Sequence, residues 1–313
     1  MNTLADLNAL SLPALFEELS KDGQMRRLIE LARDEDLGLG EYRDDITSLA
    51  WHMPEDFASA MLVSRSACIV GGLAALPMLV QAFAPRTSWK PSATDGERLE
   101  PGRVLGELLG PSREVLALER TMLNIISRLS GVATLTSRYV AEAALGSGST
   151  PARVYDTRKT TPGLRLLEKY AVRCGGGFCH RLGLYDAVLI KDNHLAAARK
   201  QDLVARLVEV SRRARSTRPL RFVEAEADTL EQFETFLSLP ADTLDVVLLD
   251  NMTPDQLRRA VEMRADRRSS IVLEASGGVS LGTIKEIAAT GVDRISAGAI
   301  THGATWADIG LDF

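Results

Sequence analysis

The 313-residue sequence predicts an α/β protein: an N-terminal α+β unit followed by a (β/α) barrel. Three observations carry that prediction. The chain is about twice the ~150 residues usual for one domain, and it has the ordinary globular mix of 45% hydrophobic and 25% charged residues. From Arg153 onward, six short runs rich in Val, Ile and Leu appear: RVYDT, LYDAVLI, LRFVEAE, DVVLLD, SIVLEAS and VDRISAG. Stretches of helical period separate them, at 163–173, 196–214, 229–237, 254–264 and 281–289. Alternating strand and helix implies a parallel sheet with right-handed crossovers. The runs are apolar on both faces, as strands covered on both sides should be. No GxGxxG follows any of them, so a dinucleotide-binding sheet is disfavoured and a barrel fits better.

The first 110 residues mix shorter elements. Helical spacing predicts helices near Leu12–Leu19 and Gln24–Asp34, then an acidic, Gly-bearing loop over 34–47. A strand is expected within 57–70 and a helix over Leu73–Phe83. The apolar stretch 67–84 holds Gly71, Gly72, Pro77 and Gln81, so it reads as strand, turn and buried helix, not as a membrane span. Loops and short strands follow over 85–110, with turns at Thr94-Asp95-Gly96 and Pro101-Gly102. A long helix then starts at Pro111-Ser112, with Ser112 as N-cap and Glu114 favourable in its first turn. Its broad apolar face includes Leu118, Met122, Ile126 and Leu129. Arg120, Asn124 and Arg128, four apart, form a polar row that would equally suit a solvated face.

Composition excludes several classes. Net charge is −5, with 42 acidic residues against 37 basic, and only 5% are aromatic. A nucleic-acid binder would show a basic excess and stacking rings. Three cysteines, Cys68, Cys174 and Cys179, support neither a disulfide framework nor a structural zinc site. Cys174 and Cys179 flank Gly175-Gly176-Gly177 with no acid–base partner nearby, so inert packing is favoured over a thiol nucleophile. The N-terminus has neither a signal-peptide nor a transit-peptide pattern, so a cytoplasmic protein without a membrane partner is expected.

In a barrel, the site is built from the C-terminal ends of the strands. The predicted strands end in turn at Arg158-Lys159, at Lys191-Asp192-Asn193-His194, at Glu224 and Glu226, at Asp250-Asn251, at Ser276-Gly277-Gly278, and at Gly298 with His302 beyond. Polar or Gly residues at the same end of six strands are hard to attribute to solvated loops. Arg158, Lys159 and Lys191, with His180-Arg181 from the preceding loop, make a cationic cluster without matching acids, which suits an anionic ligand. Glu226 and Asp250 are a plausible pair of oxygen ligands for Mg²⁺; the bland alternative is that they pair with the nearby cations. Glycines after the last two strands would offer bare N–H groups to phosphate. Among the histidines, His180 and His302 are better candidates than His194. Lys191 could alternatively form a Schiff base, as in barrel aldolases.

These residues also carry a family resemblance. DTRKTTPGLRLLEKYAVRCGGGFCHRLGLYDAVLIKDNH, over Asp156–His194, closely resembles the nicotinate-nucleotide pyrophosphorylases, the carboxylating quinolinate phosphoribosyltransferases of NAD biosynthesis. ERTMLNIISRLSGVAT, VEAE, LLDNM, EASGG and ISAGAITH follow in family order, and EYRDDITS resembles an early Asp-x-Thr region. The resemblance spans roughly 36–313. Cys179 stands where Asn is expected and Gly303 where Ser is common.

The resemblance implies an N-terminal α+β open-faced sandwich over 1–130, joined by the extreme C-terminus at about 303–313. An incomplete barrel over 131–302 would carry the phosphate site at its last strands. It implies transfer of phosphoribosyl from phosphoribosyl pyrophosphate to quinolinate with decarboxylation, in the presence of Mg²⁺. Quinolinate would be held by Arg120, Arg158, Lys159, His180, Arg181 and Lys191. The metal would sit on Glu226 and Asp250, and the phosphate on Ser276, Gly277, Gly278, Gly298 and His302. Lys159, Lys191, Glu226 and Asp250 are the catalytic candidates. The implied assembly is a homodimer, or a higher oligomer, in which Arg120 enters the partner's site. The rival readings are a related enzyme using another anionic acceptor, such as nicotinate, a Schiff-base aldolase, and a non-catalytic phosphate-ligand sensor.

Overall fold

The computed structural model describes residues 4–195 and 202–313. They form two compact units. One comprises residues 9–137, 160–176 and 300–313; the other comprises 4–8, 138–159 and the described part of 177–299.

The first unit opens with α1 (Leu12–Ser20), α2 (Gln24–Leu37) and α3 (Ile46–Trp51). The acidic loop expected at 34–47 is partly helical. Helix α2 runs on to Leu37 and stops at Gly38, whose φ of 80° few other residues adopt. Asp45 then caps α3 by accepting from the Thr47 and Ser48 amides.

The antiparallel sheet follows. The strand expected within 57–70 is two strands, β1 (Phe57–Ser64) and β2 (Cys68–Ile69). The chain leaves the sheet at Arg65, whose N–H goes to Asp308, and β2 instead pairs with β4 (Arg98–Leu99). Helix α4 (Leu76–Phe83) and strands β3 (Ser88–Pro91) and β5 (Val104–Pro111) complete the segment. The strand order is β12-β1-β5-β3, where β12 (Ile309–Asp312) is the C-terminal strand. Along β1 the two-residue period buries Ala60, Leu62 and Ser64 and leaves Phe57, Ser59 and Met61 exposed.

Helix α5 (Ser112–Gly146) is 35 residues long. Ser112 is its first helical residue, not the expected N-cap, because β5 runs directly into it through Pro111. Leu118, Met122, Ile126 and Leu129 on its apolar face are fully buried. The polar row divides: Arg120 and Asn124 are exposed, whereas Arg128 lies against Glu168 on α6 (Arg165–Cys174) at 2.7 Å and donates to the Thr301 and Ala304 carbonyls.

The second unit is the parallel α/β half. Its strands are β6 (Arg153–Tyr155), β7 (Val188–Ile190), β8 (Val223–Ala227), β9 (Val246–Asp250), β10 (Val272–Ser276) and β11 (Arg294–Ser296). Each falls within one of the six predicted runs, except that β8 extends one residue past its run, to Ala227. Their order is β6-β11-β10-β9-β8-β7, and the sheet is not closed into a full barrel. A short helix, α7 (Asp192–Leu195), follows β7. The expected helix over 196–214 has its first six residues outside the described ones; α8 runs Leu203–Thr217. Helices α9 (Leu230–Leu237) and α10 (Pro254–Asp266) start with capping boxes, Thr229 with Gln232 and Thr253 with Gln256. Helices α11 (Ile284–Ala288) and α12 (Ala299–His302) close the series. Among the described residues no helix is long and apolar enough to cross a membrane.

Candidate active site

The two-residue strand period places Glu224 and Glu226 on one face of β8, and Asp228 continues that row just past the strand end. Asp250 ends the neighbouring β9. Carboxylate oxygens of Glu226, Asp228 and Asp250 lie within 4.8 Å of one another. Burial and then Glu226 raise the pKa of Asp250, and the same two causes raise that of Asp228. Such a crowded, oxygen-only group gains from a hard divalent cation, and the donor set fits Mg²⁺. Sequence reading missed Asp228 because it lies beyond the apolar run; its signal was the spacing of two in Glu224-x-Glu226-x-Asp228.

Lys191 does not stand free of acids, as expected for the cationic cluster. Its Nζ lies 2.8 Å from Glu226 Oε2. An amine engaged by a carboxylate in this way is a poor Schiff-base nucleophile. His194 Nδ1 accepts the Lys191 backbone N–H at 3.0 Å, so His194 has a local role at the start of α7.

The anion-binding side is built from the segment after β6 and the segment 178–181. The backbone of Phe178 pairs in parallel with Tyr155, which brings His180-Arg181 beside Asp156-Thr157-Arg158. Asp156, fully buried, accepts the His180 backbone N–H at 2.8 Å.

His180 also departs from the unmatched-cation expectation. Its Nε2 lies 3.2 Å from Glu224 and 3.3 Å from Glu274, both at 0% exposure. Glu224 is therefore not a strand-end residue; it sits one layer beneath the site. Burial alone would keep the imidazole neutral, but Glu274 and Glu224 outweigh it and push its pKa up to about 10. The Arg181 amide donates to Nδ1 at 2.9 Å and so needs the lone pair there. Nε2 therefore directs its hydrogen at the two carboxylates. Burial and Glu274 raise Glu224, while Glu274, despite its burial, is lowered by His180.

Arg181 is different in kind. It is only 7% exposed, and its guanidinium has no hydrogen-bond or ion-pair partner among the described residues. Burial and then the charge of Arg158 lower its pKa. Lys159 is exposed, and its N–H is held by Thr157 Oγ1 at 2.9 Å.

Within the sheet, between β9 and β11, β10 ends in Ser276-Gly277-Gly278. Gly277 has φ 93° and Gly278 has φ 59°, and a Cβ on Gly277 would run into Asn251. The sharp turn keeps backbone amides accessible after the strand, as a phosphate cradle requires. Gly298 follows β11 in the same unit. Arg120, exposed on α5, and His302, exposed on α12, belong to the other unit. Cys174, Cys179 and Cys68 are all buried, and burial pushes the Cys174 thiol well up, as inert packing requires.

An open parallel sheet with buried cations, clustered carboxylates and glycine turns at one strand-end edge defines an enzyme handling phosphorylated, anionic small molecules. The comparisons make the class specific. Residues 45–130 match the N-terminal domain of quinolinate phosphoribosyl transferase, and residues 132–312 match its C-terminal domain. The nicotinate-nucleotide pyrophosphorylase (carboxylating) of Mycobacterium leprae is 40% identical over 291 residues, covering 92% of this chain and 96% of that protein. The "probable nicotinate-nucleotide pyrophosphorylase (carboxylating)" of Bacillus subtilis is 37% identical, covering 92% and 93%. The solved nicotinate-nucleotide pyrophosphorylase of Francisella tularensis superposes with a TM-score of 0.80 at 30% identity, over 99% of both chains. The chain belongs to the quinolinate phosphoribosyltransferase family, a family of pentosyltransferases.

Proposed function

We propose that the protein transfers the phosphoribosyl group of phosphoribosyl pyrophosphate to quinolinate with loss of CO₂, giving nicotinate mononucleotide and pyrophosphate. The observation that carries this reading is Arg181, a buried guanidinium without an ion partner, set beside Arg158. A buried guanidinium beside a second cation wants an anionic ligand, and an acceptor with two carboxylates supplies it. Arg158, Arg181 and Lys159 bind and orient that dicarboxylate, and His180 fixes the backbone between them. Glu226, Asp228 and Asp250 would hold Mg²⁺, which when bound supplies positive charge to the departing pyrophosphate. Ser276, Gly277, Gly278 and Gly298 cradle the phosphate of the ribosyl donor. The pyridine nitrogen then attacks C1 of the ribose as pyrophosphate leaves; the cationic ring that results stabilises the C2 carbanion left by loss of CO₂, which takes up a proton from water to give the product. No covalent enzyme intermediate is needed; positioning and preorganised charge do the work.

Acceptor choice tests this reading. Nicotinate lacks one carboxylate and would leave a buried cation unpaired, a loss of about 2–5 kcal/mol. Its specificity constant should therefore fall below that of quinolinate by at least ~30-fold. Equal constants in a product-formation assay would refute the two-carboxylate pocket.

We further propose that the active form is a homodimer with Arg120 entering the partner's site. Phe57, Met61 and Leu109 stand exposed on one face of the antiparallel sheet, an uncovered apolar surface of the kind an isologous interface buries. Arg120→Ala and Lys191→Ala should each be nearly inactive alone. After subunit exchange at equal amounts, half the dimers are mixed and each has one intact site, so about a quarter of wild-type activity should return. No recovery despite demonstrated mixed dimers would remove Arg120 from the shared site.

A further inference from the structure

Four consecutive backbone N–H groups, from His180 to Gly183, are held by side chains. Asp156 Oδ1 accepts from His180 at 2.8 Å, and the His180 imidazole accepts from Arg181 at 2.9 Å. The Asp186 carboxylate accepts from Leu182 at 2.9 Å and from Gly183 at 3.0 Å. The acceptors are anchored in their turn. Asp186 is ion-paired to Arg221 at 2.8 Å. The imidazole lies between Glu224 on β8 and Glu274 on β10. All five acceptor and anchor groups on this segment, Asp156, His180, Asp186, Glu224 and Glu274, are buried.

This fastening has an electrostatic reason. The Arg181 guanidinium is repelled by Arg158, and the Glu224 and Asp186 charges that oppose this are engaged by His180 and Arg221 and form no ion pair with it. On a free loop it would swing toward water. On a backbone held at every amide, it stays in the pocket before any ligand arrives, and binding need not supply the ordering.

We infer that Asp186, Glu224 and Glu274 are positioning residues that hold Arg181 where the second carboxylate of the acceptor is recognised. The inference rests on the reading of quinolinate as that acceptor. None of the three needs to touch substrate; each acts through the backbone of Arg181.

Asp186→Asn and Glu274→Gln test it, each made in the wild-type chain and in Arg181→Met. The carboxamides keep the shape of the side chain but remove the charge, and Asn can accept through one oxygen only. Calorimetry with quinolinate alone should show affinity weakened about tenfold in either variant, the size of one lost charge-assisted hydrogen bond. For Asp186→Asn the KM for phosphoribosyl pyrophosphate should stay within about twofold, because Asp186 precedes β7 whereas the donor's ligands end β8 to β11. In the Arg181→Met background the same changes should weaken quinolinate binding no further, since residues acting through one group are not additive. Thermal melts show which variants fold; should Asp186→Asn fail, Glu274→Gln carries the test. Unchanged quinolinate affinity in a folded variant, or additive losses with Arg181→Met, would overturn the inference alone. A wild-type protein that binds no quinolinate would overturn the acceptor reading and this inference with it.

Discussion

Arg181→Met should lose quinolinate binding by at least ~100-fold and yet leave the unliganded protein as stable as wild type, or more so. The two effects have one cause. In the free protein the guanidinium is nearly buried beside Arg158, and the charges of Glu224 and Asp186 do not make up for its desolvation, so its pKa is lowered. Replacing an uncompensated buried charge by an apolar side chain of similar length relieves that cost, on the order of 1–4 kcal/mol in comparable buried-ion replacements. The same charge is what a ligand carboxylate would pair with, and removing it strands that carboxylate. Calorimetry with quinolinate and a thermal melt without ligand check both halves. A variant that binds quinolinate normally, or that melts well below wild type, would show that Arg181 is a structural residue and not a ligand-binding one.

Glu226→Gln and Asp250→Asn should act through the metal. Each removes one carboxylate from the cluster that includes Asp228, so the Mg²⁺ concentration needed for half-maximal activity should rise by ten- to a hundredfold, about 1.4–2.8 kcal/mol. Quinolinate affinity measured without Mg²⁺ should change little. Glu226→Gln should show an additional effect, because its carboxylate also holds Lys191 at 2.8 Å and the freed ammonium would drift. If titration with Mg²⁺ gave the wild-type curve for both variants, the carboxylate cluster would not be the metal site.

The arrangement of strands was legible because buried parallel strands must be apolar on both faces, and those runs are short and bounded by polar ends. The same periodicity put Glu224 and Glu226 on one face. What it could not supply was depth. Two residues along β8 separate a strand-end carboxylate from one that is fully buried against His180. Pairing was hidden for a similar reason. Lys191 and Glu226 are 35 residues apart in sequence, and only the adjacency of β7 and β8 brings them together. The unpaired state of Arg181 is a statement about every neighbour at once, which no local pattern contains. In the N-terminal half, the acidic residues over 34–47 suggested a loop, yet Asp45 is a helix cap; an Asp before Ile-Thr-Ser was the available signal. Asp186 carried no signal at all, since its role is to accept two backbone N–H groups in a turn.

The strand order has a consequence for how the protein is made. From β7 to β11, each strand lies beside the next one in sequence, so this ladder can grow by short crossovers as the chain emerges. Strand β6 precedes them all; besides its local bridge to Phe178 it joins the sheet through β11, Arg153 opposite Arg294, across 141 residues. Closing so long a loop is entropically slow and must wait for the last strand. Arg158 and Lys159 follow the end of β6, so their place in the sheet depends on this late pairing, whereas Glu226, Asp228 and Asp250 ride on the sequentially adjacent β8 and β9. The β6–β11 pairing is thus the longest closure this sheet requires.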